Sequence, residues 1–85
     1  MKMTATASEV DLRGMDSVEA ICVMDRYLDE AMRSNITSVR IIHGKGTGTL
    51  RTAVHQSLRK NKFIKNFRLG VYGEGEDGVT IAEFK

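Results

Sequence analysis

Three glycines alternate through His43-Gly44-Lys45-Gly46-Thr47-Gly48, and Arg51 follows three residues on. Glycines at this spacing let successive backbone N–H groups turn toward one concave spot, because no Cβ blocks the approach. Where such a turn opens a helix, the spot holds phosphate. Lys45 and Arg51 add positive charge there and Thr47 adds a hydroxyl. The pattern is Gly-x-Gly-x-Gly. It matches neither the Gly-x-x-x-x-Gly-Lys-[Ser/Thr] of nucleotide-binding P-loops nor the Gly-x-Gly-x-x-Gly of dinucleotide folds. A backbone phosphate of a nucleic acid suits it better than a bound cofactor, and no cofactor is expected. The alternative is a tight turn with no ligand.

Asp11 and Arg13 form a second group. If their strand runs parallel beside the strand that ends at His43, then Asp11, Arg13, His43 and Lys45 meet at one sheet edge, where ligands of parallel sheets bind. A carboxylate and an imidazole beside a phosphate cradle can act as base and acid. Asp11 would be a general base or orient a nucleophile, His43 would be acid or base, and Arg13 and Lys45 would stabilise developing charge. The simpler alternative pairs Asp11 with Arg13 and uses His43 to cap a turn. Two-metal chemistry needs several clustered carboxylates, and this group offers Asp11 alone, so no metal site is expected. The lone Cys22 excludes an intramolecular disulfide and a cysteine-based zinc site.

Charge is unevenly distributed. All 11 acidic residues lie at position 30 or before, or at 74 or after, and the nine basic residues between Ala31 and Gly73 have no acidic neighbour in sequence. A basic block of this kind attracts polyanions, or forms a solvated face that the acidic flanks balance in space. The rest of the composition is that of one globular domain: 85 residues, 41% hydrophobic, 28% charged. No apolar run approaches the roughly 20 residues of a membrane span, and no secretory pattern is visible. A cytoplasmic location without a membrane partner is the expectation.

The elements that must position these residues follow from periodicity. Residues 1–8 are small and polar and read as a flexible linker remnant, leaving 9–85 as the domain. Val10-Asp11-Leu12 alternates as a short strand, and Gly14 breaks it. Asp16 with Glu19 forms a capping-box pattern. Ala20, Ile21, Met24, Leu28, Ala31 and Met32 then recur at helical spacing, predicting a helix over 17–33 that ends at Ser34-Asn35. Val39 to Ile42 is β-branched and reads as a buried strand. Leu50, Ala53, Val54 and Leu58 predict a second helix over 49–60. Alternation predicts a strand over 64–72, a turn over 73–78 and a strand over 79–84. The order β-α-β-α-β-β favours a parallel first pair and a final hairpin. An α+β two-layer sandwich results, with two helices on one face of a four-stranded mixed sheet and the other face open or covered by a partner.

Val10-Asp11-Leu12-Arg13-Gly14, His43-Gly44-Lys45-Gly46-Thr47-Gly48 and Gly78-Val79-Thr80 together resemble the Smr (small MutS-related) domain over residues 9–85. The Asp-Leu-Arg-Gly form and the Val-Thr-Ile-Ala-Glu-Phe-Lys ending look most like the C-terminal domain of the second bacterial MutS subfamily. The resemblance implies a fold like the C-terminal domain of translation initiation factor three. It implies endonuclease activity, typically nicking, on DNA or RNA. It also implies a larger, homodimeric parent ATPase acting in recombination control or ribosome rescue. The family's Asp-x-His pair falls on Asp11 and position 13, where this chain has Arg13. Its glycine loop falls on residues 43–48.

Two functions fit these residues. One is a metal-independent endonuclease using Asp11 and His43, with Arg13, Gly44, Lys45, Gly46, Thr47, Gly48 and Arg51 holding nucleic acid. The other is a non-catalytic module that binds nucleic acid or the ribosome. The isolated domain is expected to be monomeric. Cys22, Met24 and Met32 are expected in the core, and His55 at an exposed or capping position. Phe67 and Tyr72 are read as core packing rather than base-stacking platforms. The cluster Arg59, Lys60, Lys62 and Lys65 suits a helix C-terminus as well as a polyanion.

Overall fold

The computed structural model describes residues 9–70 and 76–85. The strand β1 spans Glu9–Asp11, helix α1 Ser17–Arg33, strand β2 Ser38–Ile42, helix α2 Thr49–Lys60, strand β3 Ile64–Leu69 and strand β4 Val79–Phe84. A short 3-10 turn over Glu76–Gly78 leads into β4. The linker reading of residues 1–8, Tyr72, and the first half of the turn over 73–78 lie outside the described residues.

Both helices have the predicted limits, and local chemistry explains why. Asp16 caps α1 by accepting a hydrogen bond from the Glu19 amide at 2.9 Å. Asn35 ends it with a φ of 61°, a conformation that asparagine tolerates. Ala20, Met24, Leu28 and Ala31 form one buried stripe on α1, and Val54 and Leu58 bury the facing stripe of α2.

The sheet order is β1-β2-β4-β3. β1 pairs parallel with β2, while β4 lies antiparallel between β2 and β3. Val39, Ile41 and Ala82, from the two central strands, join Leu12 and the stripes of both helices in one core cluster. Alternate residues of the strands face the core, so both helices cover one face of the mixed sheet. On the other face Glu9, Arg40, Ile81 and Arg68 lie in one row across all four strands. There Arg40 reaches the Glu9 carboxylate at 3.8 Å.

Some expectations require correction. Cys22 is exposed rather than buried. It lies off the stripe set by Ala20, Met24 and Leu28. Met24 is fully buried, whereas Met32 is only partly so. Phe67, by contrast, packs against the core as expected, half-buried with its ring centroid 4.9 Å from that of His55.

Candidate nucleic-acid interface

The sheet ends at β2 with Ile42, and the chain passes directly into the glycine loop. The amides of His43 and Gly44 both donate to the Gly78 carbonyl, at 3.1 and 2.9 Å. This bond pair ties the loop to the start of β4. Gly78 and Thr80, the C-terminal members of the sequence pattern, therefore act on the loop from the neighbouring strand.

A cleft of about 420 Å³ opens beside the loop, lined by Asp16 and Ser17 at the start of α1, by His43 to Gly48 without Lys45, and by Thr49 to Arg51 at the start of α2. Two helix N-termini thus border one space, and helix N-termini favour anions. They differ in one respect. The Asp16 side chain accepts from the Glu19 amide in the first turn of α1, whereas Gly48 begins α2 with no side-chain cap. The Thr49 amide donates to the Thr47 hydroxyl at 3.4 Å, and the amides of Leu50 and Arg51 are left for another acceptor. Arg51 stands in that first turn and supplies a full positive charge. A groove of about 480 Å³ lies between the C-terminal halves of the helices, lined by Met32, Phe63 and Phe84 among others. None of the site residues read from the sequence lines it.

Asp11 and Arg13 are paired with each other. Arg13 donates from Nε to Oδ1 at 3.0 Å and from Nη2 to Oδ2 at 2.8 Å, and its backbone amide donates to Oδ1 at 3.0 Å. This fork-on-carboxylate geometry holds the guanidinium in one orientation. The Arg13 side chain and amide bonds pull the Asp11 carboxyl down from 3.8 to about 2. A carboxylate so depressed is a weak proton acceptor at neutral pH.

His43 is in a different environment. It is 4% exposed. Its Nδ1 lies 3.0 Å from the Gly44 carbonyl and its Nε2 lies 2.8 Å from the Thr80 hydroxyl. Burial lowers its pKa, the Gly44 bond opposes this, and Arg51 lowers it further. Both ring nitrogens are thus engaged. The parallel pairing expected of β1 and β2 is present, but strand alternation separates the side chains. Asp11 is paired with Ile42 in the register and shares its face, whereas His43 continues the inward-facing series of Val39 and Ile41. No hydrogen bond joins Asp11 to His43 among the described residues. The simpler sequence alternative, an Asp11–Arg13 pair and a turn-capping His43, describes the bonds observed.

The cations sit around the loop. Arg13 lies against Gly44, Lys45 extends toward Asp77 with 3.7 Å between Nζ and Oδ1, and Arg51 lies against Gly48. Thr47 exchanges a hydrogen bond of 2.8 Å with Thr49 at the loop's exit. Among the described residues no group of three His, Cys, Asp or Glu side chains is placed to hold a metal ion.

Sequence reasoning missed His55. It is half-buried, and its Nε2 lies 2.7 Å from the Thr80 hydroxyl. Burial lowers its pKa, followed by the neighbouring His43 ring, with which it would share positive charge, and by Arg59 and Arg51. Its spacing of four from Arg51 was the available signal.

The glycine loop gives a direct test. Gly44 has φ +83° and Gly48 φ +87°, and a Cβ on them would sit 3.3 Å from Arg13 Cγ and 3.0 Å from Arg51 Nη2. Gly46 has no such torsion and nothing within 4 Å. Alanine at 44 or 48 is expected to cost about 1–2 kcal/mol, and Gly46→Ala close to nothing. Denaturant unfolding of the three variants checks this, and equal losses would contradict it.

Comparison with known proteins places the geometry in context. The Smr domain family matches residues 10–85. The chain is 52% identical over all 85 residues to Endonuclease MutS2 of Clostridium novyi, covering 11% of that protein. It is 54% identical over 79 residues, 93% of the chain, to Endonuclease MutS2 of Ruminiclostridium cellulolyticum, covering 10% of that protein. The chain thus spans about a tenth of the length of the curated relatives it matches. The crystal structure of the Smr domain of Thermus thermophilus MutS2 superposes with a TM-score of 0.90 at 40% identity, covering 93% of this chain and 99% of that one. YdaL, a stand-alone small MutS-related protein from Escherichia coli, has the same fold at a TM-score of 0.87 and 18% identity, covering 92% of this chain and 64% of that one.

Proposed function

The chain belongs to the Smr domain family, and from that premise we propose that its cleft binds the sugar–phosphate backbone of DNA or RNA and that the domain nicks the bound strand. The observation that carries this reading is the uncapped start of α2 beside the glycine loop, with Arg51 in its first turn and Arg13 at the edge of the loop. A phosphate on the α2 amides would lie beside Arg51, and the adjoining phosphates of the strand would meet Arg13 and Lys45 on the outer edge of the loop. As water adds to phosphorus and the P–O bond to one sugar oxygen breaks, one proton of the water passing to that leaving oxygen and the other to solvent, charge builds on the non-bridging oxygens, and Arg13, already oriented by Asp11, is preorganised to stabilise it. Asp11 then acts through Arg13 rather than as the base. The parent ATPase, its homodimeric state and its roles in recombination control or ribosome rescue belong to the same proposal, as does a cytoplasmic setting.

A binding-only module is the second reading. It is favoured by one observation: both candidate acid–base groups, Asp11 and His43, have their polar atoms bonded within the domain.

One assay separates the two. Labelled single- and double-stranded DNA and RNA are incubated with the chain, with and without chelator, and binding is read at two salt concentrations. Three phosphate contacts, by Arg13, Lys45 and Arg51, give a slope near −2.7 and roughly a 40-fold loss of affinity between about 50 and 200 mM salt. Nicking that persists in chelator is expected. Salt-steep binding without nicking would select the second reading, and salt-insensitive binding would remove both.

A further inference from the structure

The chemistry of two histidines on one hydroxyl leaves a single arrangement of neutral rings. The Gly44 carbonyl can only accept, so the proton of His43 must be on Nδ1, 3.0 Å away. The Nε2 of a neutral His43 is then bare and must accept. The Thr80 hydroxyl lies 2.8 Å from it and donates. With its one proton committed, the Thr80 oxygen accepts from His55, whose Nε2 at 2.7 Å must carry the proton. The bonds therefore run in one direction, from His55 to Thr80 to His43 to Gly44, starting on α2, crossing β4 and ending in the loop.

We propose that Thr80 and His55 are positioning residues of the glycine loop, which act by holding His43 in the tautomer that clamps the Gly44 carbonyl. Each link is packed in place. Thr80 is fully buried. His43 and His55 lie edge to face, with centroids 6.1 Å apart, and His55 rests on Phe67 of β3. The charged groups facing the pair are Arg51 and Arg59 from α2 and Asp77 from the turn before β4. Burial and the two arginines favour neutral rings, the state the bond order requires. His43 thereby serves as a clamp on the peptide between Gly44 and Lys45, and the histidine that opens the sequence pattern acquires a role different from proton transfer. This inference deepens the backbone-binding reading of the loop and depends on it only for its affinity arm.

The test is ¹⁵N NMR on the 85-residue chain above neutral pH. His43 is expected with its proton on Nδ1, opposite to the form favoured by a free histidine side chain in water, and His55 with its proton on Nε2. Thr80→Val keeps the shape and removes the hydroxyl. In that variant His43 is expected to lose its single tautomer and the amides of Lys45 and Gly46 to shift. Affinity for labelled single-stranded DNA is expected to fall about tenfold. Thr80→Ser is expected to restore all three readings, which a merely space-filling role would not require. His55→Phe retains a ring against Phe67 but not the donor. It is expected to shift the His43 Nε2 resonance and the loop amides in the same direction, and it serves if the valine variant does not fold. A proton on Nε2 of His43 in the unsubstituted chain, or loop amides unmoved in folded Thr80→Val or His55→Phe, would overturn the proposal. If the unsubstituted chain binds no nucleic acid, the function proposed above fails, while the tautomers and loop amides still decide this one.

Discussion

Arg13→Ala is expected to slow strand nicking by about 10²–10³-fold, the range seen when one preorganised donor to a developing oxyanion is removed. The expectation rests on the fork that Asp11 makes with this guanidinium and on the position of Arg13 against Gly44. An arginine that is already oriented loses little freedom when a phosphate arrives. Binding should weaken less than nicking, with the salt slope falling by about one contact. Asp11→Asn should reduce nicking by a smaller factor, since it loosens Arg13 without deleting it. The carboxyl titration supplies an independent check by NMR. Asp11 is expected to titrate near 2 in the unsubstituted chain and to return toward 3.8 in Arg13→Ala. Because the folded value is depressed, the contribution of this pair is present above 3.8 and is lost as pH falls toward about 2. The Asp11–Arg13 pair therefore stays intact across the neutral range in which nicking is assayed. Equal nicking by Arg13→Ala and the unsubstituted chain would refute the electrostatic role.

Ile41→Ala is the substitution expected to cost most in stability, about 2–5 kcal/mol. Ile41 is fully buried at the centre of β2, between β1 and β4. Removing its side chain leaves a cavity that rigid strands on both sides cannot close. A chain of 85 residues has a total stability of roughly 4–13 kcal/mol at 0.05–0.15 per residue, so the loss takes a large share of it. Val18→Ala serves as the contrast. Val18 is 77% exposed, and its truncation should change stability by less than about 0.5 kcal/mol. Urea unfolding with unchanged m-values checks both. A loss below about 1 kcal/mol for Ile41→Ala would show that the sheet relaxes around the gap.

Much of the fold was legible because its signals are local. The stripe of Ala20, Met24, Leu28 and Ala31 and the Asp16 cap lie within one helix, and each acts over three or four residues. The Val54 and Leu58 stripe of α2 is equally local. The limits of β1 and β2 shifted by one residue, and β3, predicted over 64–72, ends at Leu69, since a strand edge depends on its partner's hydrogen bonds. Cys22 was misplaced because an apolar neighbourhood in sequence is not a shared helix face. At the site, the loop and its cations could be read from glycine spacing, but the grouping of Asp11 with His43 treated one sheet edge as one surface. Alternation along β1 and β2 divides that edge between two faces.

Local chemistry in the sequence thus determined the two helices, the strand-to-loop-to-helix context of residues 43–48 and the basic block around it. Tertiary structure alone decided that β4 inserts between β2 and β3. That order pairs Thr80 with Ile41 on one side and Leu69 on the other. It brings the Thr80 hydroxyl to His43, 37 residues away in sequence, and to His55, 25 away. No periodicity encodes such a meeting. It follows from which strand edges find each other as the core closes, when the burial of long-range contacts offsets the entropy of closing the loops between them.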